Sequence, residues 1–349
     1  MKIAHIILTS SFAGSERYAV SLANLQAEAG HEVHLILHRR ARLNPVNPIT
    51  PRVGELVHVH YVSGLPPIAR WHTRKILRRL KPDVAHGHLS NACKSLHPMK
   101  GELTRIGSLH IHYKAQQHAK LDGLIAIAPW QILHMPERMR QRTKHVDNWI
   151  APVDIDPEAR RRIRAEIGVA DDEILIGTVG RLEPSKDQMN LVRSFRRAEI
   201  NGARLAIVGH GREMRRLKKA AAGTVIFPGY VTNVREWMSA FDVFVNTAHS
   251  EPFGLVFLEA MQMGLPILAT RTQGALHLCE RQRAAGDPEF VQPLLPIGDS
   301  LALQSALIQQ VKRCKTNGCP RIDYGMSKYA PEPSLNAITN LYTTTTPQG

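Results

Sequence analysis

Two carboxylates, Glu251 and Glu259, bracket seven uncharged residues in the stretch E-P-F-G-L-V-F-L-E (251–259). A carboxylate only accepts hydrogen bonds, so two of them at a set spacing suit a ligand with two groups of hydroxyls. Pro252 restricts Glu251 to extended backbone. The residues after it predict a helix that starts near Phe253 and runs through Glu259, Ala260 and Met261. The first amides of that helix, on Gly254, Leu255 and Val256, would have no partners inside it. Aided by the helix dipole, they would form a seat for phosphate. The apolar residues between the glutamates would be the helix's buried face.

Cations come from an earlier stretch, G-T-V-G-R-L-E-P-S-K-D-Q (177–188). A strand ends at Val179, Gly180 allows a turn, and Arg181 and Lys186 follow five residues apart. A forked donor and a point charge in one loop suit a diphosphate, although exposed Arg and Lys also occur as plain solvated surface. In L-A-I-V-G-H-G-R-E (205–213) a strand leads through Gly209 and Gly211 into a helical stretch. The third glycine of a dinucleotide fingerprint is missing, which argues against NAD. No metal is expected. Asp154-Ile155-Asp156 has a D-x-D spelling but falls in a linker. The pairs His58/His60, His86/His88 and His110/His112 each share a strand face, yet a zinc site needs three or four converging ligands.

The elements that must carry these residues are short apolar runs alternating with helical-period segments. Strands are predicted at Ile3–Leu8, Glu32–Leu37, Leu56–Val62, Val84–His86, Ile106–His110 and Leu124–Ala128. A second series covers Leu175–Val179, Leu205–Val208, Val225–Phe227, Val243–Asn246 and Pro266–Ala269, with helical segments such as Glu16–Ala29 and Gly211–Ala222 between strands. Two such series predict an α/β protein with two doubly wound parallel sheets and ligands at the carboxyl ends of the strands. The expected domains are 1–160 and 161–325, with a terminal helix in 325–349 packing back onto the first.

The chain has 349 residues, 43% of them hydrophobic, and a net charge of +15. Disorder is not indicated, and no apolar run is long enough to span a membrane. Ile3–Leu8 reads as a strand rather than a secretory leader. The four cysteines form no C-x-x-C pair, so neither a zinc cage nor a disulfide framework is expected, and a reduced cytoplasm is the default. Residues 1–150 hold 21 Lys+Arg against 9 Asp+Glu, a net of +12, whereas the remainder holds 24 against 21, a net of +3. A basic half seeks an anionic surface. Residues 70–81 concentrate six cations, among them Arg74, Lys75, Arg78 and Arg79, around an apolar stripe of Ile76, Leu77 and Leu80. Such a helix packs its stripe on a sheet or contacts anionic lipid headgroups. A nucleic-acid binder is the non-enzyme alternative. Aromatics make up only 5% of the chain and no RNA-binding motif is present, so no nucleic acid is expected.

The stretch S-E-P-F-G-L-V-F-L-E-A-M-Q-M-G-L-P-I-L-A-T resembles the signature of retaining nucleotide-sugar glycosyltransferases of family 4. Other landmarks follow in order: A-G-S-E-R (13–17), G-H-E-V (30–33), D-V-A-H-G-H (83–88), S-L-H (108–110), G-R-L-x-x-x-K (180–186) and P-G-Y-V (228–231). The resemblance spans roughly 1–345. It implies the GT-B fold, two facing Rossmann-like domains with a cleft between them. The first would bind acceptor and the second the nucleotide-sugar.

It also implies roles for single residues. Arg181 and Lys186 would neutralise the donor diphosphate, and the amides around Gly254, Leu255 and Val256 would hold the distal phosphate. Glu251 would contact the transferred sugar and Glu259 the ribose. Val231 would flank the base, Gly209 would line the phosphate side, and Gly14 would leave room for donor or acceptor. His110 would approach the reacting sugar. The implied activity is transfer of a hexose-type sugar from a UDP-, GDP- or ADP-sugar, with retention and without a cofactor. The acceptor would be an anionic glycan or glycolipid, as in lipopolysaccharide core or another cell-surface polysaccharide. The place would be the cytoplasm, peripheral to the inner membrane. A nucleotide-sugar epimerase or a phosphorylase of the same architecture is the enzyme alternative. The sequence departs from the family pattern at Ala13, at Q-G-A-L-H (273–277), at I-A-I-A-P-W (125–130) and at N-W-I-A-P-V-D (148–154).

Overall fold

The computed structural model describes residues 1–10, 12–44, 48–280 and 293–347. The chain divides into two compact units, Met1–Trp149 with Tyr329–Gly349, and Ile150–Lys328.

The first unit is built on a seven-stranded sheet: β1 Lys2–Ile7, β2 Glu32–His38, β3 Val57–Val62, β4 Val84–His88, β5 Thr104–Leu109, β6 Gly123–Ala126 and β7 Thr143–His145. The strand order is β3-β2-β1-β4-β5-β6-β7 and the pairings are parallel. Helices cover both faces of such a sheet, so its central strands are buried. β4 and β5 are buried along their whole length. The edge strand β7, T-K-H, is half-exposed and carries no apolar run, so the pattern misses it. Ile6, Ile36, Leu96, Leu109 and Leu124 pack in one core cluster beneath the helices. Arg105, also buried, donates to Asp122 in a fork, Nη2 to Oδ1 at 2.6 Å and Nε to Oδ2 at 3.0 Å. The C-terminal helix Pro331–Thr344 belongs to this unit. Its Ser334 hydroxyl donates to the Asp147 carbonyl, and its Tyr342 hydroxyl lies 2.6 Å from His86 Nδ1.

The second unit carries β8 Ile174–Val179, β9 Ala203–Val208, β10 Val225–Gly229, β11 Val243–Asn246 and β12 Ile267–Ala269, ordered β10-β9-β8-β11-β12 and parallel throughout. The first unit ends at Trp149 rather than near 160, because the segment after it is tied to the second. Ala151 O accepts from Arg235 and Gln262, and Arg160 and Arg164 converge on Asp242 at 2.7 and 3.0 Å. Asp242 also accepts from the Leu175 amide, which pins the start of β8. The cysteine expectation needs correcting. Cys314 and Cys319 form a disulfide at the end of the helix Ser300–Asn317, five residues apart; Cys93 and Cys279 lie outside it and are buried. Five-residue spacing lies outside the C-x-x-C search. Among the described residues, no helix is long and apolar enough to cross a membrane.

In both sheets the chain runs outward to one edge and then returns to the other side of the first strand. The strand order reverses between β1 and β4 in the first unit and between β8 and β11 in the second. Loops at the carboxyl ends of those strands diverge and leave a crevice, the usual ligand position in open α/β sheets.

Candidate functional site

The crevice of the second unit is walled by two loops, 180–187 after β8 and 247–254 after β11. The Thr247 hydroxyl donates to the carbonyls of Lys186 and Asp187, both at 3.0 Å. The His249 amide donates to Ser185 O at 2.9 Å, and its ring Nε2 lies 2.8 Å from Asp187 Oδ2. Asp187 takes a left-handed φ of 48° between a 3₁₀ turn, Pro184–Lys186, and the helix Gln188–Ala198. These ties carry Lys186 to Glu251. Its Nζ donates to Glu251 Oε2 at 2.5 Å, with side chains 22% and 14% exposed. An ion pair this sheltered is screened much less than a surface pair.

Glu251 is held through its backbone as well. Its carbonyl accepts from the Gly274 amide at 2.7 Å. A Cβ on Gly274 would lie 2.1 Å from Phe253 O and 2.9 Å from Glu251 O, so only glycine fits there. Gly274 is thus a site-building residue that the motif reading missed, although Q-G-A-L-H stood out as a departure.

The helix behind Glu251 is Leu255–Gln262, starting two residues later than the expected Phe253. The reason is Gly254, whose φ of 86° and ψ of 70° are left-handed and break the helical path before Leu255. Gly254 is therefore the N-cap residue rather than part of the first helical turn. Leu255 and Val256 supply the first amides inside the helix, while the Phe257 amide already donates to Gly254 O at 2.8 Å. Glu259 lies further along the same helix and is buried, 5% exposed.

The remaining residues surround this pair at different ranges. Gly209, after β9, sits against Gly180, and a Cβ there would come within 1.9 Å of Gly180 O. The loops after β8 and β9 are thereby in backbone contact, with Leu182 N also donating to His210 O. Arg181 does not join Lys186 and Glu251: its Nη1 donates to Glu183 Oε1 at 3.0 Å, and its side chain is 63% exposed. Val231, just past β10, is half-buried.

In the first unit, Gly14 opens the helix Gly14–Glu28, with nothing within 4 Å of a Cβ added there. The preceding loop is locked by Glu16, whose carboxylate accepts from the Thr9 hydroxyl, the Ala13 amide and the Ser15 hydroxyl. His110 follows β5 at the carboxyl edge; its Nε2 lies 3.2 Å from His88 Nδ1 and its ring meets Tyr18 edge-on at 5.1 Å. Arg74, Lys75, Arg78 and Arg79 lie on the helix Pro66–Leu80. Arg78 forms a forked pair with Glu102, and Lys75 stacks over Trp71. Leu65, just before this helix, and Ile68 and Trp71 on it are exposed at 69%, 49% and 53%.

Residues 12–176 match the family model described as Glycosyltransferase Family 4, and residues 173–312 the model described as Glycosyl transferases group 1. The lipopolysaccharide core biosynthesis glycosyltransferase LpsD of Rhizobium meliloti is 26% identical over 286 residues, covering 78% of this chain and 79% of that protein. Among solved structures, HepE of Anabaena in complex with UDP and glucose superposes with a TM-score of 0.77 at 17% identity, covering 99% of this chain and 100% of the other. WaaG, a glycosyltransferase involved in lipopolysaccharide biosynthesis, gives 0.74 at 17% identity, covering 97% and 99%. At these identities the structural likeness establishes the fold, and the two family models between them take in both parallel-sheet units. The chain is a GT-B-fold glycosyltransferase and belongs to family 4.

Proposed function

We propose that this glycosyltransferase moves a hexose-type sugar from a nucleotide-sugar to a glycan or glycolipid acceptor, with retention at the anomeric carbon. The observation that carries the reading is the sheltered Lys186–Glu251 pair at the β8/β11 crevice, set before a helix N-terminus. With donor bound, Lys186 turns to the diphosphate, and Arg181 leaves Glu183 to join it. The amides of Leu255 and Val256 meet the distal phosphate at the end of a fixed backbone dipole. Released from Lys186, Glu251 accepts from hydroxyls of the transferred sugar. Glu259 accepts from the ribose, and the Val231 backbone flanks the base. Gly209 lets the phosphate side stay close to the backbone, and Gly254 shapes the turn that aims the amides.

In the transfer step an acceptor hydroxyl attacks the anomeric carbon on the face that the diphosphate leaves. The carbon–oxygen bond to phosphate breaks, and the departing diphosphate takes the hydroxyl proton. The charge that grows on the leaving oxygens is met by cations and amides already in place, so no metal is required by this reading. Gly14 leaves space beside the loop that Glu16 holds, and His110 contacts the reacting sugar.

The acceptor we propose is anionic and membrane-anchored, such as lipopolysaccharide core, at the cytoplasmic face of the inner membrane. The similarity to LpsD and the +12 charge of residues 1–150 support this. The helix Pro66–Leu80, with exposed Leu65, Ile68 and Trp71 beside Arg74, Lys75 and Arg79, has the amphipathic form that rests on such a surface. A thermal-shift screen over UDP-, GDP- and ADP-sugars, followed by transfer assays with the stabilising donor, tests the enzyme reading. Absence of any shift and of any transfer would overturn it. Co-sedimentation with liposomes tests the surface: binding that ignores anionic lipid and charge reversal at Arg74, Lys75 and Arg79 refutes it.

A further inference from the structure

The first unit contains a chain of imidazoles of which the transfer reading uses only the last, His110. His5 stands on β1 directly opposite His86 on β4, and His88 follows two residues later on the same face. All three rings are buried at 0% exposure, next to Gln26, which is equally buried on the helix Gly14–Glu28. The contacts run in one line. Gln26 Oε1 lies 2.7 Å from His5 Nε2, His5 Nδ1 lies 3.1 Å from His88 Nε2, and His88 Nδ1 lies 3.2 Å from His110 Nε2.

The polarity of that line follows from the orientation of the Gln26 amide, with its oxygen toward His5. The Gln26 amide oxygen can only accept, so His5 Nε2 carries a proton and donates. In a neutral imidazole the other nitrogen is then bare, so His5 Nδ1 accepts from His88 Nε2–H. By the same step His88 Nδ1 is bare and accepts from His110 Nε2–H. His110 Nδ1 is left bare as well, at the open carboxyl edge of the sheet. The argument requires neutral rings, and burial supplies them. It lowers the His5 pKa to about 4 and holds His88 well below the ordinary histidine value. His110 keeps part of its surface open, yet desolvation, with His118 adding to it, lowers its pKa to about 3. His86 fits the same pattern from the side. Ser108 Oγ donates weakly to the Tyr18 hydroxyl at 3.5 Å, which leaves it to accept from His86 Nε2 at 2.8 Å.

We propose that Gln26, His5 and His88 are positioning residues that hold His110 in the Nε2–H tautomer, so that its bare Nδ1 is offered to ligand as a hydrogen-bond acceptor. This rests on the reading of His110 as a sugar contact and sharpens it. The group recognised is a hydroxyl that donates, not a phosphate or carboxylate, and His110 is not a proton donor to it. A buried metal site at His5, His86 and His88 is the competing use of these atoms, since one ligand atom from each lies within 4.8 Å of the others. The structure favours the hydrogen-bonded chain, because His5 Nδ1 and His88 Nε2 already face each other at hydrogen-bond distance and His5 Nε2 faces Gln26.

The test is long-range ¹H–¹⁵N correlation of the full chain labelled at histidine nitrogen, at pH 7. Nε2–H tautomers are expected for His5, His88 and His110. Gln26→Leu removes the anchor and is expected to give averaged Nδ1 and Nε2 signals for His110 while the backbone amide spectrum is kept. Should that variant fail to fold, His5→Phe cuts the same line one link later and carries the same expectation. Nδ1–H on His110 in the wild type, an unchanged His110 signal in the variant, or histidine signals that move when a chelator strips bound zinc would each overturn the proposal. The measurement needs no turnover. A transfer assay of His110→Ala runs beside it, and wild-type activity there would remove the sugar contact while leaving the tautomer result standing.

Discussion

Replacing Lys186 by alanine separates the ion pair's structural worth from its catalytic worth. In the folded chain the ammonium donates to Glu251 at 2.5 Å, with both side chains mostly out of solvent. A hydrogen bond to a charged group is worth roughly 1.5–3 kcal/mol net, and removing one partner leaves the other to bear its own desolvation. Glu251 keeps 14% of its surface in water, so the lower half of that range applies, roughly 1.5–2 kcal/mol. A double-mutant cycle of Lys186→Ala and Glu251→Ala in urea should return a coupling energy of that order.

Activity should fall much further. One preorganised donor facing charge that develops in a transition state is worth about 10²–10³-fold in rate. Lys186→Ala is therefore expected to lose about 10²–10³ in kcat/KM with the stabilising donor, while its melting temperature drops by only a few degrees. Lys186→Arg should recover part of the rate, since charge returns without the point geometry. Wild-type-like turnover in Lys186→Ala, or a coupling energy below about 0.5 kcal/mol, would refute the argument.

Three further outcomes are expected. Gly254→Ala puts a side chain at φ 86° and a Cβ 2.4 Å from the Phe257 ring and 2.9 Å from Glu251 Cγ; it should cost more than about 1–2 kcal/mol in urea unfolding and raise the donor KM. Glu259→Gln should chiefly weaken the nucleotide, seen as a smaller thermal shift with the free nucleoside diphosphate and little change in saturated turnover. Acid should destabilise the first unit. His5, His86, His88, His110 and His118 all have folded pKa values lowered by burial, to about 4, 3 and 4 for His5, His110 and His118, so below about 6.5 the unfolded chain binds protons that the folded chain refuses. Their contribution is whole above about pH 6.5 and is lost as pH falls toward 4, at roughly 1.4 kcal/mol per pH unit for each histidine. Urea midpoints that stay flat between pH 7 and pH 5 would contradict this.

Much of the architecture was legible without coordinates. A parallel strand covered on both faces is mostly apolar, and β8 and β11 announce themselves that way, whereas β4, V-A-H-G-H, is buried with two histidines in it. Where that rule weakens, reading fails, as at the half-exposed edge strand β7. The helix start was misjudged because composition does not say which glycine will turn left-handed, and Gly254 does. The pairing of Cys314 with Cys319 was missed for want of a familiar spacing.

What the sequence determined by itself is local. The carboxylate pair at 251 and 259, the cations at 181 and 186, and the glycines that end strands are set by spacing along one loop and one helix. What only the tertiary structure decided is convergence. Lys186 and Glu251 are 65 residues apart and meet because β8 and β11 are neighbours at the reversal of strand order. Gln26, His5, His88 and His110 come from one helix and the ends of three adjacent strands, and form one line because parallel register sets His5 opposite His86. Arg181, adjacent to the same motif, turned instead to Glu183. Chain spacing constrains what a residue can reach; the sheet's pairing order and the hydrogen bonds between loops select which of those contacts is made.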